Sequence, residues 1–488
     1  MNEISMLDRP KYIDLFAGCG GLSLGLEQAG FELRFAVEKS PMAAETFYHN
    51  FVRRIGPDSG SCFSQHLSLT VGEQAGQRLV VRPLSDVLNE KGLLHELKEE
   101  GIDLVAGGPP CQGFSLAGRR NPSDERNQLA WQFLDFVEAV SPKVVLIENV
   151  AGMQQDFRKH GSEAAFGQIH KALEQTGLGY SVQPMLLNAM HFGAAQHRPR
   201  VMLVGLRSDI YQTIAATVSD ILWRSSFADC TKLAGNVPFL APTTSVKIAD
   251  VRTVKDAIAD LSPANIGKRR SAYAKELATD RSWMRDSIRQ FAPRRNAVPN
   301  HQQRSHSEKV ALRFRTYQAL WECGASSELL TYGYQAKALE ESPDGLKQRI
   351  AKLVTFPLVG PDGVVIAKTA AQAARLFKEL ATKKHSQRVL PWDKPSPTVL
   401  SIPDDFVHPA EPRTMTVREL ARFQSFPDAF EFRGKETTGG IKRRTEVPQY
   451  TQVGNAVPPK LAYAVGKRLY EILAMECSME ESTDFEIA

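Results

Sequence analysis

Cys111 stands behind two prolines, in the run Gly107-Gly108-Pro109-Pro110-Cys111-Gln112-Gly113-Phe114-Ser115. The apolar stretch Ile102 to Ala106 before it has the composition of a buried strand. A thiol there stands at the carboxyl end of a sheet strand, where open α/β sheets gather their chemistry. Paired prolines fix the backbone and flanking glycines admit a second molecule, which suits the presentation of a nucleophile. The bland use of such a residue is as a small hydrophobe in a tight turn. Other polar groups occupy comparable places. Glu148, in Glu148-Asn149-Val150, follows the apolar run Val144–Ile147. A carboxylate there is costly unless it is paired or held with a raised pKa for proton work. Arg198 and Arg200, in Gln196-His197-Arg198-Pro199-Arg200, precede the apolar run Val201–Leu206. Each of these groups alone reads as well as a structural ion pair. Together they make a specific set of nucleophile, proton carrier and anion-stabilising cations.

A second constellation suits a bound small molecule. The run Asp14-Leu15-Phe16-Ala17-Gly18-Cys19-Gly20-Gly21-Leu22 follows an apolar stretch, and Glu38 comes about 20 residues on. A glycine turn lets the backbone pass close beneath a ligand, and an acidic residue at the next strand end suits ribose hydroxyls. NAD(P) enzymes and S-adenosylmethionine enzymes share this signal. Gly-x-Gly-Gly is an incomplete dinucleotide fingerprint, and a turn with less room for pyrophosphate favours the methyl donor. Asp86, in Leu84-Ser85-Asp86-Val87, reads either as a receiver for an adenine amino group or as a helix N-cap.

These residues require a frame. The pattern predicts strands at Tyr12–Phe16, Leu33–Val37, Leu104–Ala106, Val144–Ile147 and Val201–Leu206. It predicts helices at Leu22–Gln28, Pro41–Phe51, Asn127–Val140 and Ala164–Thr176. That alternation implies an α/β fold with a doubly wound, mainly parallel sheet, interrupted at 52–82 by a polar surface insertion. Beyond about 208 the rhythm fades into a smaller, loop-rich region. It returns in the helices Thr416–Ser425 and Lys460–Ala474.

The motifs occur in one order: Asp14–Gly21, Glu38, Gly107–Ser115, Glu148–Val150, Gln196–Arg200, Arg418–Pro427 and Gln452–Pro459. In that order and content the chain resembles the DNA (cytosine-5)-methyltransferases, over most of its length. The resemblance implies an S-adenosylmethionine-dependent methyltransferase domain with a smaller target-recognition domain, and duplex DNA as partner. It implies that the Cys111 thiolate adds to C6 of a flipped-out cytosine, so that C5 takes the methyl group. Glu148 would serve N3 and the exocyclic amine, and Arg200, supported by Arg198, would hold O2. Phe16, Gly18, Gly20, Glu38, Asp86, Val87, Pro109 and Asn455 would line the methyl donor's pocket. Gln112, Phe114, Ser115 and Thr398 would touch DNA, Thr398 near the flipped base. The Arg418–Pro427 motif would support the recognition domain as scaffold. S-adenosylmethionine, leaving as S-adenosylhomocysteine, is the implied cofactor, with no metal.

Domain boundaries follow. Residues 1–207, completed by 450–475, form the catalytic and cofactor-binding domain, 208–449 the DNA-reading domain, and 476–488 a frayed acidic tail. Segment 268–315, with thirteen Lys/Arg against four Asp/Glu, is expected to contact phosphates. Asn300-His301 and His385-x-x-Arg388 read as either structural or DNA-facing. Hydrophobic residues at 42%, charged residues at 24% and a net charge of +5 describe a globular chain that permits a nucleic-acid partner. Cys19, Cys62, Cys111, Cys230, Cys323 and Cys477 form no Cys-x-x-Cys pair, which argues against a zinc site and fits a reducing compartment. With no membrane-length apolar run, the expectation is a monomeric cytoplasmic enzyme, nucleoid-associated when bound to DNA, laid out like the compact prokaryotic members. A cognate restriction endonuclease or defence proteins are compatible partners. An RNA cytosine methyltransferase, a binding-only module and an NAD(P) dehydrogenase are the competing readings. The long basic region, the intact Cys111–Glu148–Arg200 set and the otherwise unexplained Cys111 argue against them in turn.

Overall fold

The alternation of short apolar runs in the first half of the chain resolves into one eight-stranded sheet. The structure is a computed structural model that describes residues 9–52, 62–110, 128–154, 165–214, 218, 220–230, 237–262, 270–284, 298–440, 442 and 445–486. The strands are β1 Lys11–Leu15, β2 Glu32–Val37, β3 Leu79–Val80, β4 Leu104–Gly107, β5 Val144–Val150, β6 Tyr180–Asn188, β7 Pro199–Arg207 and β8 Trp223–Arg224. Their spatial order is β3-β2-β1-β4-β5-β7-β6-β8. β1 to β5 run parallel, and β7 runs antiparallel between β5 and β6.

Period-2 alternation explains why both faces are covered. Ile13, Leu15, Val105, Val145 and Ile147 point into one apolar cluster, roofed by the helices Lys91–Glu100, Gln128–Val140 and Ala165–Gln175. Tyr12, Leu104, Ala106, Val144 and Leu146 point into the other. That face takes the helices Gly21–Gln28, Pro41–Phe47, Val417–Phe423 and Pro459–Glu486. The predicted strands are all present. β3, β6 and β8 are additions, each with a physical reason. β3 spans two residues, too few for a pattern, and restores the end of the expected insertion to the sheet as its edge. β6 contains Gln183-Pro184, which break its alternation. β8 pairs through two residues only.

The boundary expected at 207/208 does not separate two cores. Leu240, Ala257, Ile258, Tyr273, Leu390 and Val399 join the same cluster as β1 and β4. A separate core lies between Phe314 and Val389, with Val407. It is built by the helices Glu308–Glu322, Tyr332–Glu341, Gly345–Leu353 and Ala370–Glu379, so the expected loop-rich region is largely helical there. Three of these helices span only nine or ten residues and carry too few repeats to stand out in sequence. The final helix, Pro459–Glu486, also outruns its expected end at Ala474. Lys143 Nζ meets the buried Glu476 carboxylate at 3.1 Å, which pins the start of the expected frayed tail. Among the described residues, no helix is long and apolar enough to cross a membrane.

The last helix closes on the first at Gly25. A Cβ there would lie 2.4 Å from Ala462 Cβ and 2.5 Å from the Tyr463 nitrogen. Gly25→Ala is therefore expected to destabilise the protein by about 1–3 kcal/mol through overpacking. Urea unfolding measures this, and an unchanged midpoint would contradict so close a contact.

Candidate active site

The strand order reverses direction between β1 and β4, which are adjacent and in register at Leu15 and Gly107. Ligands in open α/β sheets bind outside the strand carboxyl ends at such a switch point. Both sequence constellations converge there. The turn after β1 has positive φ at Phe16 (61°), Gly18 (58°) and Gly20 (97°). Glycine relieves that strain at two of the three. A Cβ on Gly20 would meet Phe51 Cε2 at 2.5 Å, whereas one on Gly18 meets nothing within 4 Å. Gly18 therefore borders open space. Its N–H donates to Glu38 Oε2 at 2.9 Å, and the Ser40 N–H donates to Oε1 at 2.6 Å. Each oxygen keeps a lone pair for a further donor. Burial pushes the Glu38 carboxyl above its usual range, and the backbone donors of Ser40 and Gly18 pull it back. An electronegative, hydroxyl-ready group beside an open glycine turn fits the ribose of a nucleoside-type ligand.

Asp86 lies in the first turn of the helix Leu84–Asn89, whose N-cap is Pro83, so the N-cap alternative is excluded. Val87 has no exposed surface and packs in the core. As placed, its side chain offers no surface to a ligand, a correction to the expected pocket lining. Asn455, exposed, ends the helix Gln449–Asn455. The residues after it lie on the glycine turn, since a Cβ on Gly21 would sit 2.4 Å from the Val457 carbonyl oxygen. The closing motif therefore folds back onto the first, as expected.

Glu148 projects from the end of β5, diagonal to Arg200 on the antiparallel β7. Arg200 Nε meets Glu148 Oε1 at 2.9 Å, with both side chains about one-tenth exposed. Burial outweighs the pull of Arg200 and then Arg198, and holds the Glu148 carboxyl above its usual range. A Cβ on Gly108 would lie 3.0 Å from Glu148 Oε2, so the Pro-Pro turn starts against this carboxylate. Asn149 Nδ2 donates to the buried Pro109's carbonyl at 2.9 Å and fixes the turn. Cys111, Gln112, Phe114 and Ser115 lie outside the described residues. Cys111 follows Gly108 by a chain distance of at most about 11 Å.

Arg198 has a different place from the one expected. It is fully buried, and its guanidinium donates to the carbonyls of Val399 (3.1 Å), Gly454 (2.7 Å) and Ala456 (3.0 Å). It is a strut, not a group facing substrate. Burial and then Arg200 push its pKa well down, with Glu148 opposing. Thr398 is likewise engaged, its hydroxyl donating to the His197 carbonyl at 2.8 Å. The predicted scaffold at Arg418–Pro427 carries buried charges. Arg422 pairs with Asp260 and Asp428, and Arg418 donates to the carbonyls of Pro299 and Pro427.

Several open readings resolve as structural. Asn300 donates to the Phe432 carbonyl, and His301 bonds Thr416 and the Leu261 carbonyl. In the basic segment, Arg270 pairs with Asp260, Arg304 with Asp404 and Arg315 with Asp362, while Arg313 binds the Leu380 carbonyl. These four have partners within the protein; Lys268, Arg269, Arg285, Arg289, Arg294 and Arg295 of the same segment lie outside the described residues. The sequence motifs include Asp14, Asn149 and Gln452 but assign them no role. Asp14 is buried beneath the glycine turn, accepts the Ser23 hydroxyl at 2.6 Å, and is pushed up to about 7 by burial. Gln452 accepts from Thr46 and donates to the carbonyls of Met42, Arg433 and Val447. For Asp14 and Asn149, a polar residue inside an apolar strand was the available signal. Cys19, by contrast, is buried with its thiol pushed up to about 12, too high to serve as a nucleophile.

A doubly wound sheet with an open glycine turn and Glu38 at its switch point, and a buried carboxyl–guanidinium pair beside them, fits a methyltransferase-type enzyme. The family model for C-5 cytosine-specific DNA methylase matches residues 10–61 and 81–471, and the chain belongs to that family. It is a DNA (cytosine-5)-methyltransferase with S-adenosylmethionine as methyl donor. It is 29% identical to the Type II methyltransferase M.DdeI of Desulfomicrobium norvegicum, covering 94% of this chain and 88% of that protein. It is 28% identical to M.AgeI of Thalassovita gelatinovora, covering 94% and 99%. A solved E. coli protein, described as a putative prophage-encoded DNA modification methyltransferase, shares the fold with a TM-score of 0.57 at 23% identity, covering 95% and 99%.

Truncating Arg198 strands three buried carbonyls. Arg198→Ala is expected to cost about 3 kcal/mol or more in stability. Chemical denaturation reads this loss, and a stability unchanged within error would sink the strut assignment.

Proposed function

We propose that this chain methylates C5 of cytosine within a specific duplex sequence, through a covalent Cys111–C6 adduct on a flipped-out base. The observation that carries the reading is the Glu148–Arg200 pair at the mouth of the Pro-Pro turn that leads to Cys111. When bound, S-adenosylmethionine supplies an electrophilic methyl group. Carbon 5 of cytosine is too poor a nucleophile to take that methyl unaided. Thiolate addition at C6 pushes electrons into the ring and makes C5 enamine-like. Negative charge then builds at O2 and N3. The Arg200 guanidinium stabilises the first, and a protonated Glu148 gives a hydrogen bond or a proton to the second. Loss of H5 to a base or water expels the thiolate and restores the ring. The reacting ring must leave the stack to be reached from both sides.

Gly18, Gly20, Glu38 and Asn455 are proposed to hold the methyl donor, with Phe16, Asp86 and Pro109 around them. Residues 208–449 are proposed to read DNA, with the separately cored helices 308–379 as the reading module. Arg198 takes the role of positioning residue, because its carbonyl clamp sets where Asn455 stands.

Bisulfite-type sequencing of DNA from cells expressing the protein tests the reading. Modified cytosines in one sequence context are expected. Cys111→Ser should leave no modified cytosine and no covalent product on duplex containing 5-fluorocytosine. Trapping that survived this substitution would put the nucleophile elsewhere.

The raised Glu148 pKa sets a pH dependence. The carboxyl keeps its proton to higher pH than a free glutamate, so a step that needs the proton runs below that pKa and slows as pH rises through it. Glu148→Gln is expected to lower single-turnover methyl transfer roughly 100-fold and to remove this alkaline decline. A variant with the same alkaline limb would assign the limb to another group.

A further inference from the structure

The separately cored helical module presents one loop whose side chains divide into anchored and free. Between Thr382 and Arg388, Lys384 Nζ pairs with Asp404 at 2.7 Å, and Gln387 Nε2 donates to the Asp404 carbonyl at 2.7 Å. Ser386 donates to the Asp405 carboxylate, and the Arg388 guanidinium lies over the Phe406 ring. These contacts fasten the loop to the segment 404–406. Lys383 and His385 are exposed, and no hydrogen bond or ion pair engages their side chains among the described residues. Tyr332 adjoins them. Its N–H donates to the Thr382 carbonyl at 3.1 Å, its ring residue is 54% exposed, and a Cβ on Gly333 would lie 3.9 Å from His385 Cε1.

An exposed aromatic beside a free ammonium and a free imidazole, on a loop held rigid from behind, is built to meet a flat, hydrogen-bonding surface. The same chain segment connects this patch to the active site. Ser396 pairs with Gln196 and His197, Thr398 donates to His197, and Arg198 binds the Val399 carbonyl. From Thr398 to Asp404 the chain reaches at most about 22 Å. This strap joins the segment that backs the patch, 404–406, to the residues that precede Arg200.

We infer that Lys383, His385 and Tyr332 form the base-reading surface of this enzyme and determine which bases flank its target cytosine. This inference rests on the proposed methylation of a specific duplex sequence. Lys383 suits the paired acceptors O6 and N7 on a guanine's major-groove edge. The His385 ring nitrogens suit a neighbouring donor or acceptor, and the Tyr332 ring suits contact with a thymine methyl or a base edge. Arg304 and Arg315 pair with carboxylates and Arg313 donates to the Leu380 carbonyl, so these three side chains are held by the protein, whereas Lys383 and His385 are not.

The test is methylation of a randomised duplex library by the full-length protein and by Lys383→Ala, His385→Ala and Tyr332→Ala, followed by bisulfite-type sequencing. Each site is exposed, so thermal midpoints close to that of the parent are expected. The parent enzyme's own sequence preference establishes the proposed function independently of the variants. With that in hand, each variant is expected to lose discrimination at one or two positions by at least about fivefold, while the others keep their preference. A uniform fall in rate with unchanged preference and a shallower salt dependence means phosphate contact, and overturns the inference. Unchanged rate and preference in all three variants overturns it as well.

Discussion

The guanidinium of Arg198 is the contact on which the rest of the architecture turns. It comes from the residue just before β7, yet it holds the backbone at Val399 and at Gly454–Ala456, more than 200 residues further along the chain. A fully buried cation is costly, and three carbonyl dipoles with a carboxylate nearby offset that cost. Arginine suits the task because its planar fork of donors can reach several acceptors at once, and lysine's point charge cannot. Through this one group, the wall of the cofactor pocket, the strap beside the active site and the central sheet share a single geometry.

That arrangement explains why the site is divided between elements of different rigidity. Glu148 and Arg200 stand on paired strands within the sheet, where a shift of one would carry the other. Gly18 and Glu38 are held by backbone hydrogen bonds at strand ends. The segment 396–401 is extended and contributes little core of its own, but it is stitched on both sides, to His197 and through Ser401 to Thr451. Gly454 allows that stitching, because any larger residue would press on the Leu400 carbonyl at 2.5 Å. The protein thus couples its reading module to its chemistry through a short, tightly bound strap.

Much of this was legible before any coordinates. The five strands with clean apolar runs were found because burial on both faces leaves a continuous hydrophobic signal. The positions of Glu148, Glu38 and the glycine turn followed from the rule that chemistry gathers at strand ends. Arg198 and Arg200, separated by one proline, were ranked only by resemblance, and the fold sends Arg198 into a carbonyl clamp and Arg200 to Glu148. The basic segment illustrates a related point. Composition counts charges but is silent on pairing, and Arg304 and Arg315 find carboxylates at Asp404 and Asp362, far away in sequence. The final helix outran its expected end because the charge signal that suggested a tail ignored Lys143, whose partner Glu476 only the fold brings near.

The closure of the last helix upon Gly25 also sets an order in time. β1 and its glycine turn leave the ribosome more than 400 residues ahead of Val457, which covers Gly21. At ordinary elongation rates that interval is roughly 20 to 90 seconds. Throughout it, the apolar face of Gly21–Gln28 lacks its permanent cover, and the cofactor pocket lacks a wall. A nascent or truncated chain can therefore assemble most of the sheet and still be unable to mark DNA. The enzyme becomes competent only when its end returns to its beginning.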